Sequence, residues 1–178
     1  MIVMGIDPGL RFTGYACVKL LDPARAAAGI GGIGGCDGIE LVEAGVIRLR
    51  AGTSISDRLA ELDDDLGPIF ARLAPALVGV EKLYAHYKHP TTAAIMGHAR
   101  GVVLLSIRRA GMQLAELGAT EVKKSLTGHG HASKVQVQHA VAAQLGLATI
   151  PDPPDIADAI AIALCAARRS AAQPIELG

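Results

Sequence analysis

The sequence predicts an α/β domain built on a mixed five-stranded sheet with helices on both faces. Three observations carry this. The chain opens on an apolar, β-prone run that stops at Asp7 and turns through Pro8-Gly9 into a second extended stretch. From residue 54 onward, short apolar runs alternate with long helical patterns, as crossover units do. The 178 residues, 51% of them hydrophobic with few aromatics, suffice for one sizeable core and not for two ordinary ones. A single domain over 1–172 with a short tail, 173–178, follows.

Met1 to Ile6 reads as a buried strand ending on Asp7, and Thr13 to Val18 as the second strand. Residues 22–38 hold six glycines with no Lys-Ser/Thr after them, which excludes a Walker-type phosphate loop and leaves a hairpin tip. Glu40 to Leu49 alternates as a third strand. Ser54 or Ser56 caps a helix whose Ile55, Leu59, Leu62, Leu66, Ile69 and Leu73 form one stripe, with a kink or break expected at Pro68. Ala76 to Val80 is a short apolar strand ending on Glu81, followed by a basic loop to Pro90. Thr91 to Arg109 is a helix apolar nearly all round, which predicts burial on more than one side. Met112 to Leu117 is the fifth strand. Thr120 starts a short helix, TGHGHA is a loop, and Ser133 caps a helix that stops at Gly146. Pro151 to Pro154 lead into a last helix from Asp155 to Ala171. The first three strands read as an antiparallel meander and the rest as parallel crossovers.

Composition narrows the function. No apolar run nears the roughly 20 residues of a membrane span, and the N-terminus has no basic region before its apolar run, so neither membrane nor signal peptide is expected. Cys17, Cys36 and Cys165 are odd in number and widely spaced, as reduced thiols of a cytoplasmic protein would be. Net charge is zero, yet Lys82 to His139 carries eight Lys or Arg against Glu116 and Glu121, so that stretch is +6 and the remainder −6. Ordinary solvated charge explains this as well as a basic face for a polyanion does.

The acids are more telling. Asp7 and Glu81 each end a run that must be an interior strand, where an unpaired charge is costly. Asp155 and Asp158 stand three apart in the first turn of the last helix and share a face. The helix dipole alone favours acids there, but this helix is otherwise apolar. Four carboxylates gathered together repel. Hard divalent cations, Mg2+ or Mn2+, resolve that repulsion, and two ions about 4 Å apart would suit phosphodiester hydrolysis.

Five blocks, GIDPGLRFTGYA, VGVEKLYAHYK, MGHARGV, EVKKSLTGHGHASKVQVQHAV and PPDIADAIAIAL, together resemble the RuvC-type Holliday junction resolvases of the ribonuclease H-like superfamily. The likeness covers roughly 1–20 and 40–170, so residues 22–38 look like an insertion. It implies a ribonuclease H-like sheet and a homodimeric endonuclease that resolves four-way DNA junctions by paired cuts in recombination and repair, alongside branch-migration proteins. It implies Asp7, Glu81, Asp155 and Asp158 as catalytic metal ligands, Lys123 and Lys134 beside the phosphate and along the DNA, and Tyr84 as the aromatic at the crossover. Departures are Lys82 where Gln is usual, Tyr84 where Phe is usual, and His98 where Gln is common.

Lys82 and Lys88 extend the basic loop as DNA contacts, and His129 and His131 stand near phosphate, their loop feeding the Ser133-capped helix. Zinc is disfavoured, because the histidine pairs lie two or three apart on loops with no cysteine partner. Two other classes share features of this chain. An actin-like ATPase or sugar kinase opens on a similar hairpin but needs a second phosphate hairpin, which is missing. A non-catalytic scaffold would lack one of the four acids. A two-fold dimer is expected through the Thr91–Arg109 helix, where Ala93, Gly97, Gly101 and Leu105 form a row. Close approach to the chain's own sheet is the competing explanation of its glycines.

Overall fold

The computed structural model describes residues 1–21, 38–83 and 90–172. The expectations for the glycine-rich segment, for Cys36, Tyr84 and Lys88, and for the tail 173–178 therefore lie outside the described residues. Among those residues are five strands, β1 (Ile2–Asp7), β2 (Phe12–Leu20), β3 (Ile39–Arg48), β4 (Leu77–Glu81) and β5 (Gln113–Leu117). Five helices accompany them: α1 (Ile55–Leu73), α2 (Pro90–Arg109), α3 (Ala119–Thr127), α4 (Lys134–Gln144) and α5 (Pro154–Ala172). The sheet runs β3-β2-β1-β4-β5. β1, β2 and β3 pair antiparallel, and β4 lies parallel to both β1 and β5.

Strand alternation splits the core in two. Val3, Val18, Leu77 and Leu117 face α3, α4 and α5. Met4, Cys17, Val78 and Val80 face α1 and α2, meeting Leu62, Leu66 and Phe70 from one and Ala99, Val103 and Ile107 from the other. Helices thus cover both faces, as the alternating pattern predicts.

Ser54, not Ser56, caps α1: its hydroxyl accepts from the Asp57 amide at 3.1 Å, and Asp57 reciprocates by accepting from the Ser54 amide. The break expected at Pro68 does not occur, for α1 runs through it to Leu73. The preceding residue, Gly67, has no Cβ to meet the proline ring, and Leu62, Leu66 and Phe70 anchor the helix on either side.

The expectation for α2 needs a larger correction. Ala99, Val103, Ser106 and Ile107 are buried, but Met96 and Leu105 remain 39% and 48% exposed. Within one chain α2 is buried along one stripe only. Among the described residues, a Cβ on Gly101 would meet nothing within 4 Å, and one on Gly97 would meet only the Leu83 side chain at 3.5 Å. Neither glycine permits a close approach to the chain's own sheet.

Candidate active site

Asp7 closes β1 and Glu81 closes β4. The parallel register pairs Ile6 with Val80, so the two carboxylates leave neighbouring strands at the same end of the sheet. Beyond Asp7 the chain reverses through a turn closed by Thr13, whose hydroxyl donates to the Gly9 carbonyl at 2.7 Å and accepts from the Gly9 amide at 3.1 Å. Gly9 is required there because a Cβ would overlap the Phe12 carbonyl oxygen.

Three glycines in the strands bring the other two acids in. A Cβ on Gly5 would overlap the Ala159 carbonyl and the Ala163 nitrogen, and one on Gly14 the Asp155 carbonyl. A Cβ on Gly79 would stand 2.9 Å from that of Ala166. With no side chain between them, α5 lies backbone against β1 and β2 and delivers Asp155 and Asp158 to Asp7. Sequence reading missed these glycines, although a glycine inside a buried strand is itself a sign of close backbone approach.

Asp7 carries the electrostatic consequence. Burial, followed by the charges of Asp158, Glu81 and Asp155, pushes its carboxyl up to about 7, with Lys134 opposing. Burial and then Asp158 also raise Glu81, with Lys123 opposing. Lys134 Nζ stands 2.6 Å from Asp158 Oδ2. Burial works against the Lys134 charge, but its hydrogen bond and attraction to Asp158, then to Asp7 and Asp155, prevail and raise its pKa.

A cavity of about 290 Å³ collects Asp7, Glu81, Asp158, Lys123 and Lys134. Asp155 is not among its lining residues but acts on Asp7 through charge. A second, smaller cavity of about 40 Å³ on the other side of Asp7 and Glu81 is lined by Lys82, Met96 and Arg100. His129 and His131 are exposed on the loop between α3 and α4, their rings edge to face at 5.8 Å, and line neither cavity.

The donor set suits a hard divalent cation: among the described residues it offers four carboxylates, no thiolate or imidazole, and a half-buried Asp7 whose charge is opposed by the neighbouring acids. As the side chains lie, no three acids among the described residues enclose an ion, and Asp158 is engaged by Lys134. To hold an ion, Asp158 would have to give up the Lys134 ammonium, a change of partner within the same cavity.

The family model for "Crossover junction endodeoxyribonuclease RuvC" matches residues 3–166. A relative of that name from Rhodopirellula baltica is 42% identical, over 92% of this chain and 84% of its own. A solved RuvC structure from Thermus thermophilus superposes with a TM-score of 0.80 at 30% identity, covering 97% of this chain and 96% of that one. A T. thermophilus RuvC structure in complex with Holliday junction substrate gives 0.80 at 29% identity, covering 96% and 94%.

Proposed function

This chain belongs to the RuvC family of crossover junction endodeoxyribonucleases, and on that premise we propose how its residues resolve a Holliday junction. It is a DNA endonuclease acting on four-way junctions in recombination, and divalent-metal use goes with the family. Asp7, Glu81, Asp155 and Asp158 are the metal-holding carboxylates, taking two Mg2+ or Mn2+ ions. The observation that carries this reading is the convergence on Asp7, whose carboxyl is raised to about 7 by burial and by the three other acids.

When bound, the metal stabilises charge building on the phosphate and on its leaving oxygen. The chain's own residues do the rest. Lys134 releases Asp158 and turns its ammonium to a phosphate oxygen. Lys123 offsets charge beside Glu81, as it does within the protein. Val122, Val137 and Ala161 wall the cavity with apolar groups that limit water beside the phosphate. Tyr84, Lys82, Lys88, His129 and His131 are further DNA contacts.

Residues 1–172 act as one catalytic domain, with 22–38 an insertion. The working unit is a homodimer joined through α2, which supplies the two matched cuts that a symmetric junction requires. The open space at Gly101 and the exposure of Met96 and Leu105 support this. Branch-migration proteins are its partners on the junction, and its work on chromosomal DNA is cytoplasmic. Among the described residues no helix is long and apolar enough to cross a membrane.

Asp7→Asn tests the reading. Cleavage of a labelled four-way junction should fall roughly a thousand-fold or more, the several kcal/mol that metal stabilisation supplies, while junction binding stays equal or tightens. Metal-dependent cutting at near the unaltered rate would overturn the assignment.

A further inference from the structure

We infer that Arg100 is a positioning residue for Glu81, tying the catalytic end of β4 to α2 and fixing where that carboxylate stands. This rests on reading Glu81 as a metal ligand. Arg100 belongs to the MGHARGV block, which the reaction leaves without a role.

The need for such a tether follows from the sheet. The Lys82 amide donates to the Leu117 carbonyl at 2.7 Å, so the peptide groups of Lys82 face β5. Main-chain groups of successive strand residues point to opposite sides, so those of Glu81 face β1. With Ile6 beside Val80, the parallel ladder would bring the amide of residue 8 to the Glu81 carbonyl. Residue 8 is proline and has no N–H. The carbonyl of the catalytic residue is thereby left without its ladder donor, at a half-buried position where an unmet acceptor is costly.

Arg100 supplies the missing donor. Its Nε donates to the Glu81 carbonyl at 3.1 Å. Its Nη2 is ion-paired with Glu116 Oε2 on β5, which holds the guanidinium plane in place. The side chain is 18% exposed and lines the small cavity on the far side of Asp7 and Glu81. One turn earlier, Gly97 lies against Leu83, two residues beyond Glu81. Helix α2 thus holds the end of β4 at the carboxylate and just past it.

The test compares Arg100→Met, Arg100→Lys and Glu81→Gln with the unaltered chain. Three quantities are read: kcat and KM on a four-way junction, Mn2+ affinity by calorimetry without DNA, and melting temperature. Groups that orient metal ligands typically contribute 10–100-fold to affinity or activity. Arg100→Met should therefore lose 10–100-fold in both kcat and Mn2+ affinity, with KM within about two-fold, in protein still folded at the assay temperature. Arg100→Lys should recover part of that, since its ammonium can reach the carbonyl or Glu116 but not both. Should Arg100→Met fail to fold, Glu116→Gln takes its place, with a smaller loss of both quantities expected. Full kcat and Mn2+ affinity in the folded variant, or a loss in KM alone, would overturn the inference. If that happens while Glu81→Gln is inactive, only the tether falls. If Glu81→Gln cleaves at full rate, the reading of Glu81 falls and the tether with it.

Discussion

Helices α2 and α5 look alike in sequence and behave differently in the molecule. Each is about five turns long and largely apolar, with its charges near its ends except for Arg100 in the middle of α2. Helix α5 is buried from Ala157 through Ala167 except for Asp158, which is half-buried. Helix α2 buries one stripe and leaves Met96 and Leu105 in the open. The difference lies in the sheet beneath. Below α5 stand Gly5, Gly14 and Gly79, which admit the helix backbone, so its alanines suffice to fill the contact. Below α2 stand Met4, Ile6 and Val80, with Leu62 and Leu66 of α1 beside them, so side chains lie between the helix and the strands. How deeply an apolar helix sinks is decided by what it lands on.

The sharpest way to break this contrast is to fill the contact under α5. Gly5→Ala places a Cβ against the Ala159 and Ala163 backbone, which cannot yield as a side chain can. A loss of roughly 3 kcal/mol is expected from such overpacking, on the order of 10 °C in melting temperature. Gly14→Ala acts beside Asp155 and should abolish cleavage at temperatures where the protein still shows its full helical circular dichroism. Unchanged melting in Gly5→Ala would show that α5 is not seated on the glycines.

A smaller effect follows from what α5 brings with it. The unfolded chain loses the Asp7 proton near 3.8, whereas the folded protein holds it to about 7. Between these values the native state binds more protons, so the metal-free protein should lose stability as pH rises from about 4 to 7. Asp7→Asn removes that dependence. In chelator at pH 8 it should melt several degrees above the unaltered chain, and the gap should close toward pH 4. Equal melting at pH 8 would mean that the crowding of charge around Asp7 is not felt.

The smallest effect belongs to α2. Gly101→Ala meets nothing within 4 Å among the described residues of the single chain, so it should stabilise an isolated protomer by about 0.8–1 kcal/mol through helix propensity. In a dimer packed on this row, the same methyl intrudes. Sedimentation should then show weaker association for Gly101→Ala and monomer for Leu105→Asp, with junction resolution reduced to single nicks. Fully dimeric Leu105→Asp protein would move the interface elsewhere.

The strand ends were readable from the chain because an acid closing an apolar run is conspicuous, as at Asp7 and Glu81. The Asp155–Asp158 pair was readable from helical spacing in an apolar helix, and the strand directions from the meander followed by crossovers. What escaped depends on contacts between distant segments. Apolarity around α2 says nothing of what lies beneath it, so which residues stay open in the single chain could not be foreseen. Pro68 appeared as a breaker because its tolerance depends on Gly67 beside it and on anchors formed only in the fold. The Lys134–Asp158 pair joins two helices, and the service Arg100 gives to Glu81 follows from Pro8, more than seventy residues earlier in the chain. Each side chain was visible, but its partner was not.

The seat of α5 on the sheet also sets a tolerance. In an ordinary helix–sheet joint, rotamer hops in the intervening layer let the two parts drift by fractions of an ångström. Here peptide meets strand with nothing between, so the spacing from Asp7 to the first turn of α5 has no side-chain slack to lose. Warming should leave that spacing unaltered until the whole joint gives way. Cleavage should then climb with temperature along one smooth activation curve and stop at the melting transition, with no plateau of weakened activity before it.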